Sequence, residues 1–122
     1  MNKKTSFLRN RLNSVKYASK GVWRLISKEA SIQVQLTIAV IMTVAGFLCN
    51  LSLTEWIIQL LTIGLILVSE AINTVIEEIA DFIHPEYHTK IGLIKDISAG
   101  AVFLMAITAV IVGVIIYFPK IF

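Results

Sequence analysis

Apolar residues along this chain first recur at helical spacing and then close into three nearly uninterrupted runs. Within residues 1–29, Leu8, Leu12, Val15, Ala18, Val22 and Ile26 return every three or four positions, while Arg9, Asn13, Lys16, Lys20 and Arg24 line another side. Tyr17 and Trp23 add rings of the kind that settle at headgroup level. The pattern predicts a cationic amphipathic helix lying in a membrane interface. From Ile32 to Thr54 no residue is charged, a length that suits a first transmembrane helix, placed at 32–50. Asn50, Ser52, Thr54 and Glu55 mark a tight hairpin, and a second span follows at 56–80. A third fits 97–117, opened by the small residues Ser98, Ala99, Gly100 and Ala101, which let neighbouring backbones approach, and closed by Pro119 and Lys120. Pro85 disfavours helix continuation, so HPEYH at 84–88 reads as a surface loop, within a connection between spans placed at 81–96. The expected fold is an all-α membrane protein forming one domain over 1–122: an interfacial amphipathic helix plus three transmembrane helices. The uncharged run starts too far from Met1, and lacks the small-residue site, for a cleaved signal peptide.

Composition supports that class. Of 122 residues, 57% are hydrophobic, and the mean hydropathy is +0.80. So small a fold has no interior for this many apolar side chains, so the bilayer must solvate much of its surface. The single cysteine, Cys49, excludes an intrachain disulfide and reads as a small core or lipid-facing residue. Eight of the eleven Lys and Arg residues precede the first span, Lys90 and Lys95 lie between the second and third, and Lys120 is near the C-terminus. The positive-inside rule therefore puts the N-terminus and the 81–96 loop in the cytoplasm of a multi-pass membrane protein. Cationic residues at that surface explain the pI of about 9.2 without a nucleic-acid partner.

Candidate chemistry is concentrated in SEAINTVIEEIADFIHPEYHTKIGLIKD, residues 69–96. On a helix, Glu70, Asn73, Thr74, Glu77 and Asp81 fall on one side, with Glu78 roughly 80° away. Counted from Trp56, Glu70 lies roughly 21 Å and Glu77 roughly 31 Å along the second span. With a hydrocarbon core about 30 Å thick, Glu70 is just under the far surface and Glu77 is at it. A charge near the bilayer centre costs about 2.5–3.5 kcal/mol on insertion scales, so a polar face there needs a reason. Helix–helix packing with one acid as glue is the plain reason; a cation or substrate site at the membrane surface is the sharper one. The sequence contains no G-x-x-x-x-G-K-[ST] loop, no G-x-G-x-x-G and no cysteine–histidine cluster. His84, Glu86 and His88 make only a weak zinc signal. The residues by themselves point to an acidic, cytoplasmic-side site for Mg²⁺ and something bound to it.

The run E-A-I-N-T-x-I-E-x-x-x-D from Glu70 to Asp81, P-E-Y-H at 85–88, K-D at 95–96 before a small-residue helix, and K-E-A at 28–30 together resemble the prokaryotic diacylglycerol kinase family. The resemblance covers nearly the whole chain. It implies a small integral-membrane lipid kinase that moves phosphate from ATP, with Mg²⁺, to diacylglycerol or undecaprenol. It implies a homotrimer with sites shared between subunits. By the same resemblance Glu70 is the catalytic base and Asn73 orients the base or substrate. Glu29 and Glu77 hold Mg²⁺ with the nucleotide phosphates, while Lys95 and Asp96 contact the nucleotide with Tyr17, Glu86 and His88 nearby. Asn10 stands where the family carries an arginine, flanked by Arg9 and Arg11. Ser98–Ala101 and the Tyr-Phe-Pro-Lys ending look closer to the Gram-positive branch, whose members favour undecaprenol. A small channel or proton-coupled transporter using Glu70 as a relay is the alternative, in which Asn73, Glu86, His88 and the Lys95–Asp96 pair have no obvious role.

Overall fold

The computed structural model describes residues 3–122, folded as four helices: α1 (Lys3–Lys28), α2 (Ala30–Leu48), α3 (Leu53–Ile83) and α4 (Thr89–Ile121). Three of them, α2, α3 and α4, are long and apolar enough to cross a membrane. Apolar surroundings favour this architecture, because a helix satisfies its backbone polar groups within one segment. The most extensive packing joins α3 to α4, and α2 lies against α3.

A single residue separates α1 from α2. Glu29 adopts an extended backbone (φ −101°, ψ 112°) and its side chain caps nothing. Across this break the Gln33 side-chain amide donates to the Ile26 carbonyl at 3.0 Å, covering a group that the end of α1 leaves open. The Glu29 carboxylate is thus not consumed by the backbone beside it.

The α2–α3 hairpin is set by local chemistry. Asn50 takes the left-handed conformation (φ 53°), which Asn tolerates better than most residues. Gly46 lies under Trp56, where an added Cβ would fall 2.6 Å from the ring. Ser52 and Glu55 form a reciprocal capping box: the Glu55 N–H donates to Ser52 Oγ at 3.2 Å, and the Ser52 N–H to Glu55 Oε1 at 2.9 Å. Lys120 then reaches Glu55 at 3.0 Å, tying the end of α4 to the start of α3. The Ser52 N–H first, and Lys120 second, hold the Glu55 carboxyl below the usual carboxylate range.

Nearby, polar groups join all three apolar helices. Gln59 on α3 donates its amide to the Met42 carbonyl of α2 at 3.0 Å. The Tyr117 hydroxyl of α4 lies 2.5 Å from Gln59 Oε1 and 3.1 Å from the same Met42 carbonyl. Gln59 and Tyr117 are both buried.

At the opposite end the non-helical stretch is HPEYH, 84–88, as Pro85 predicts, while the rest of the expected 81–96 loop is helical. Hydropathy falls at Asp81, yet backbone hydrogen bonding carries α3 on to Ile83, and the stop comes just before Pro85. α4 begins at Thr89 because His88 caps it, Nδ1 accepting the Lys90 N–H at 3.0 Å. Pro119 does not end α4, which runs on to Ile121. The missing Pro119 N–H leaves the Ile115 carbonyl without its i→i−4 donor, a loss confined to the last turns of the helix.

Candidate functional site

The face of α3 turned toward α4 carries Gln59, Ile66, Glu70, Asn73 and Glu77, spaced to within about 60° of one another on a helical wheel. Glu70 is buried, 8% exposed. Among the described residues its carboxylate has no hydrogen-bond or ion-pair partner; only its backbone carbonyl is engaged, by the Thr74 hydroxyl at 3.1 Å. One turn on, the Asn73 amide nitrogen donates to Glu77 Oε1 at 3.3 Å. On the other side Asn73 Oδ1 accepts from the buried Ser98 hydroxyl of α4 at 2.7 Å. A turn beyond Glu77, Asp81 pairs with Lys95 of α4 at 2.5 Å. That bond holds the Lys95 ammonium above its ordinary pKa, so it stays charged throughout the neutral range.

Other residues singled out in the sequence lie apart from this row. Glu29 lines a cleft of about 460 Å³ together with Gly21 and Arg24, against Ala71, Val75 and Glu78 of α3. Those α3 positions occupy the side of the helix away from Glu70 and Glu77. Within one chain, then, Glu29 and Glu77 flank α3 from different sides. Tyr17 is exposed on α1, with the Lys20 ammonium 5.9 Å from its ring centroid. Glu86 and Asp96 are exposed. The Glu86 carbonyl meets His84 Nδ1 at 2.6 Å, and His88 uses Nδ1 for its cap, leaving Nε2 for other work.

Two residues of the site were missed as such. The sequence places Asp81 on the acidic face but gives it no partner in Lys95, and it presents Ser98 as a small packing residue. Its signal lay in its spacing: three residues after Lys95, it shares the α4 face that meets α3.

The donor set suits one kind of metal. Among the described residues no three His, Cys, Asp or Glu side chains are grouped to cage an ion. Mg²⁺ does not need a cage, since it keeps several waters and is usually held by one or two carboxylates plus substrate phosphates. Glu77 fits, being exposed, with Oε1 committed to Asn73 and Oε2 without a hydrogen-bond partner among the described residues. In the other direction along α3, a cavity of about 300 Å³ opens among α2, α3 and α4 one turn from Glu70, lined by Ile66, Thr62, Ala39, Ala109 and Gly113.

The model of the family described as prokaryotic diacylglycerol kinase matches residues 16–117. The chain is 36% identical over 116 residues to an undecaprenol kinase of Bacillus subtilis, covering 92% of this chain and 94% of that one. It is 32% identical over 111 residues to a diacylglycerol kinase of Synechocystis, covering 90% and 63% respectively. With a diacylglycerol kinase of Haemophilus influenzae it shares 27% identity over 116 residues, covering 94% and 98%. The match reaches into all four helices and covers every residue of the Glu70–Ser98 row, and the chain belongs to the prokaryotic diacylglycerol kinase family.

Proposed function

We propose that the protein is an ATP- and Mg²⁺-dependent kinase of a membrane lipid alcohol, working at the cytoplasmic face of the bacterial inner membrane. The observation that carries this reading is the pairing on one α3 face of Glu70, a buried residue whose carboxylate makes no hydrogen bond among the described residues and keeps an opening to the surface, with an exposed, oriented acid, Glu77, seven residues on. Their backbone separation is roughly 10 Å along the helix. A lipid hydroxyl sits just under the headgroups and ATP phosphates stay in water, so the two acids stand at the depths the two substrates require.

Glu70 takes the proton of the lipid hydroxyl. The freed oxygen attacks the γ-phosphorus in line, and the bond to the β-phosphate oxygen breaks to release ADP. Bound Mg²⁺ supplies neutralisation of charge on the phosphates. Glu77 binds and orients that metal–nucleotide unit, Asn73 fixes Glu77, and Lys95 and Asp96 with Glu86, His88 and Tyr17 line the nucleotide. The lipid's hydrocarbon tail runs from Glu70 past Ile66 into the bilayer-depth cavity. Glu29 completes the metal site from a neighbouring chain. Supporting this, Glu29 and Glu77 flank α3 from different sides of one chain, so a homotrimer with shared sites brings them together where a monomer does not. α1 lies in the interface, N-terminus on the cytoplasmic side.

Undecaprenol is the preferred alcohol. The nearly full-length 36% identity to an undecaprenol kinase supports it over diacylglycerol. Purified protein given MgATP and an equimolar mixture of the two lipids should form mainly undecaprenyl phosphate. A predominance of phosphatidate would reverse the preference, and phosphate on neither lipid would refute the kinase reading.

A further inference from the structure

We propose that Ser98 is a positioning residue: its hydroxyl locks the Asn73 amide in the one orientation that directs the NH₂ group at Glu77 and so holds Glu77 ready for the metal–nucleotide unit. The inference rests on the kinase reading above and adds to it a residue on a different helix.

Ser98 behaves unlike the nine described Ser and Thr hydroxyls that bond within their own helices. Among the described residues, the hydroxyls of Ser14, Ser19, Ser27, Ser69 and of Thr37, Thr43, Thr62, Thr74, Thr108 all donate to a carbonyl of their own helix three or four residues back. That local bond is the usual outlet for a helical Ser or Thr. Ser98 instead turns across to another helix and donates to a side chain, at 2.7 Å. It is 7% exposed, so it has little water to turn to.

The direction of the bonds follows from what each group can do. A carboxylate only accepts, so the Asn73 atom facing Glu77 must be the nitrogen. The amide oxygen then faces Ser98, which must donate. The result is a one-way chain, Ser98 O–H to Asn73 Oδ1 and Asn73 N–H to Glu77 Oε1, running from α4 to α3. Glu77, which can only accept, selects the end of the amide that faces it, and the Ser98 hydroxyl, donating to Oδ1, holds that orientation; without it the oxygen of the half-buried Asn73 loses its donor. An amide that turns its oxygen to Glu77 repels the carboxylate. Glu77 is exposed and has no other hydrogen bond among the described residues to keep it in place.

The test measures metal and nucleotide binding without turnover. Mn²⁺ binding in the presence of a non-hydrolysable ATP analogue is followed by electron paramagnetic resonance on full-length protein in lipid. Thermal midpoints are recorded on the same samples. Ser98→Ala should weaken Mn²⁺ binding by about three- to tenfold, the range one hydrogen bond of ordinary net strength covers. Ser98→Thr, which keeps the hydroxyl, should restore it. In turnover assays the Mg²⁺ concentration for half-maximal rate should rise by a similar factor in Ser98→Ala. The KM for lipid should not move, and the rate at saturating Mg²⁺ should stay within about threefold, because the oriented state is then recovered by mass action. In an Asn73→Ala background, Ser98→Ala should have no further effect on Mn²⁺.

Equal Mn²⁺ binding by wild type and Ser98→Ala would overturn the inference while leaving the kinase reading intact. An undiminished Ser98→Ala effect in the Asn73→Ala background would also overturn it, since Ser98 would then act by packing. Should Ser98→Ala fail to fold, Ser98→Cys, close in volume and a weaker donor, carries the same expectation with a smaller shift. Absence of Mn²⁺–nucleotide binding in the wild type would take both readings down together.

Discussion

The two ends of the α3–α4 pair use polar residues in opposite ways. At the hairpin end, Gln59, Tyr117 and the Met42 carbonyl close on one another, and Glu55 is taken up by Ser52 and Lys120. At the other end Glu70 has no side-chain partner among the described residues, and Glu77 gives one oxygen to Asn73 and keeps the other. Among the described residues no side-chain polar atom is both buried and without a partner, so the Glu70 carboxylate keeps an opening to the surface, and Glu77 is exposed. Saturated polar groups hold the helices together at one end; at the other, two carboxylates remain available, which is what the proposed chemistry requires.

The largest expected effect is at Glu70. Glu70→Gln keeps shape and hydrogen bonding but cannot take a proton, so lipid phosphorylation should fall by roughly 10²–10⁴-fold. Nucleotide binding should survive, as measured by the same Mn²⁺ signal. Next comes Glu77→Gln, which should raise the Mg²⁺ needed for half-maximal rate and weaken MgATP use. An unchanged Mg²⁺ titration would remove Glu77 from the metal site. A third effect is a recovery: Glu29→Gln and Glu70→Gln proteins, each nearly inactive, should regain part of the activity when reconstituted together. Mixed trimers that stay inactive would confine the site to one chain.

Smaller effects belong to the saturated end. Tyr117→Phe leaves Gln59 Oε1 without its donor and should lower stability by roughly 0.5–2 kcal/mol, the range for interhelical hydrogen bonds in membranes. Turnover by the folded fraction should be unaltered. The smallest effect is on the Glu55–Lys120 pair, read as the thermal midpoint of Lys120→Met against wild type. Because folding depresses the Glu55 pKa, the pair's contribution is present above the unfolded-state value and is lost as pH falls through the folded one. The midpoints should differ slightly at neutral pH and converge in acid.

Much of this contrast was legible in the sequence, and its limits have physical causes. Three apolar runs, the second carrying Glu70, Glu77 and Glu78 toward its end, declare three membrane-length helices because hydropathy reports directly on the solvent each segment prefers. The same measure misjudged the ends: Asp81, Lys90, Lys95 and Asp96 stop the apolar pattern but not the backbone, and Pro85 with the His88 cap decides where helix gives way. Ser52-x-x-Glu55 announced the start of α3 three residues before the apolar run does. The acid row from Glu70 to Asp81 could be placed on one side of a helix by counting. What lay across from it could not, because Lys95–Asp81 and Ser98–Asn73 depend on the register of α4 against α3, which a single sequence does not specify. For the same reason the separation of Glu29 from Glu77 by α3 emerged only from the packed chain.

The most direct test of the contrast measures two quantities on the same preparations of Glu70→Gln and Tyr117→Phe. One is transfer of the γ-phosphate label of ATP into extracted lipid, and the other is the thermal midpoint. The account predicts a crossed result. Glu70→Gln loses transfer and keeps or raises its midpoint, while Tyr117→Phe lowers its midpoint and keeps transfer below it. Parallel loss of both quantities in Glu70→Gln would contradict the account, because Glu70 would then be one more group that holds the helices together.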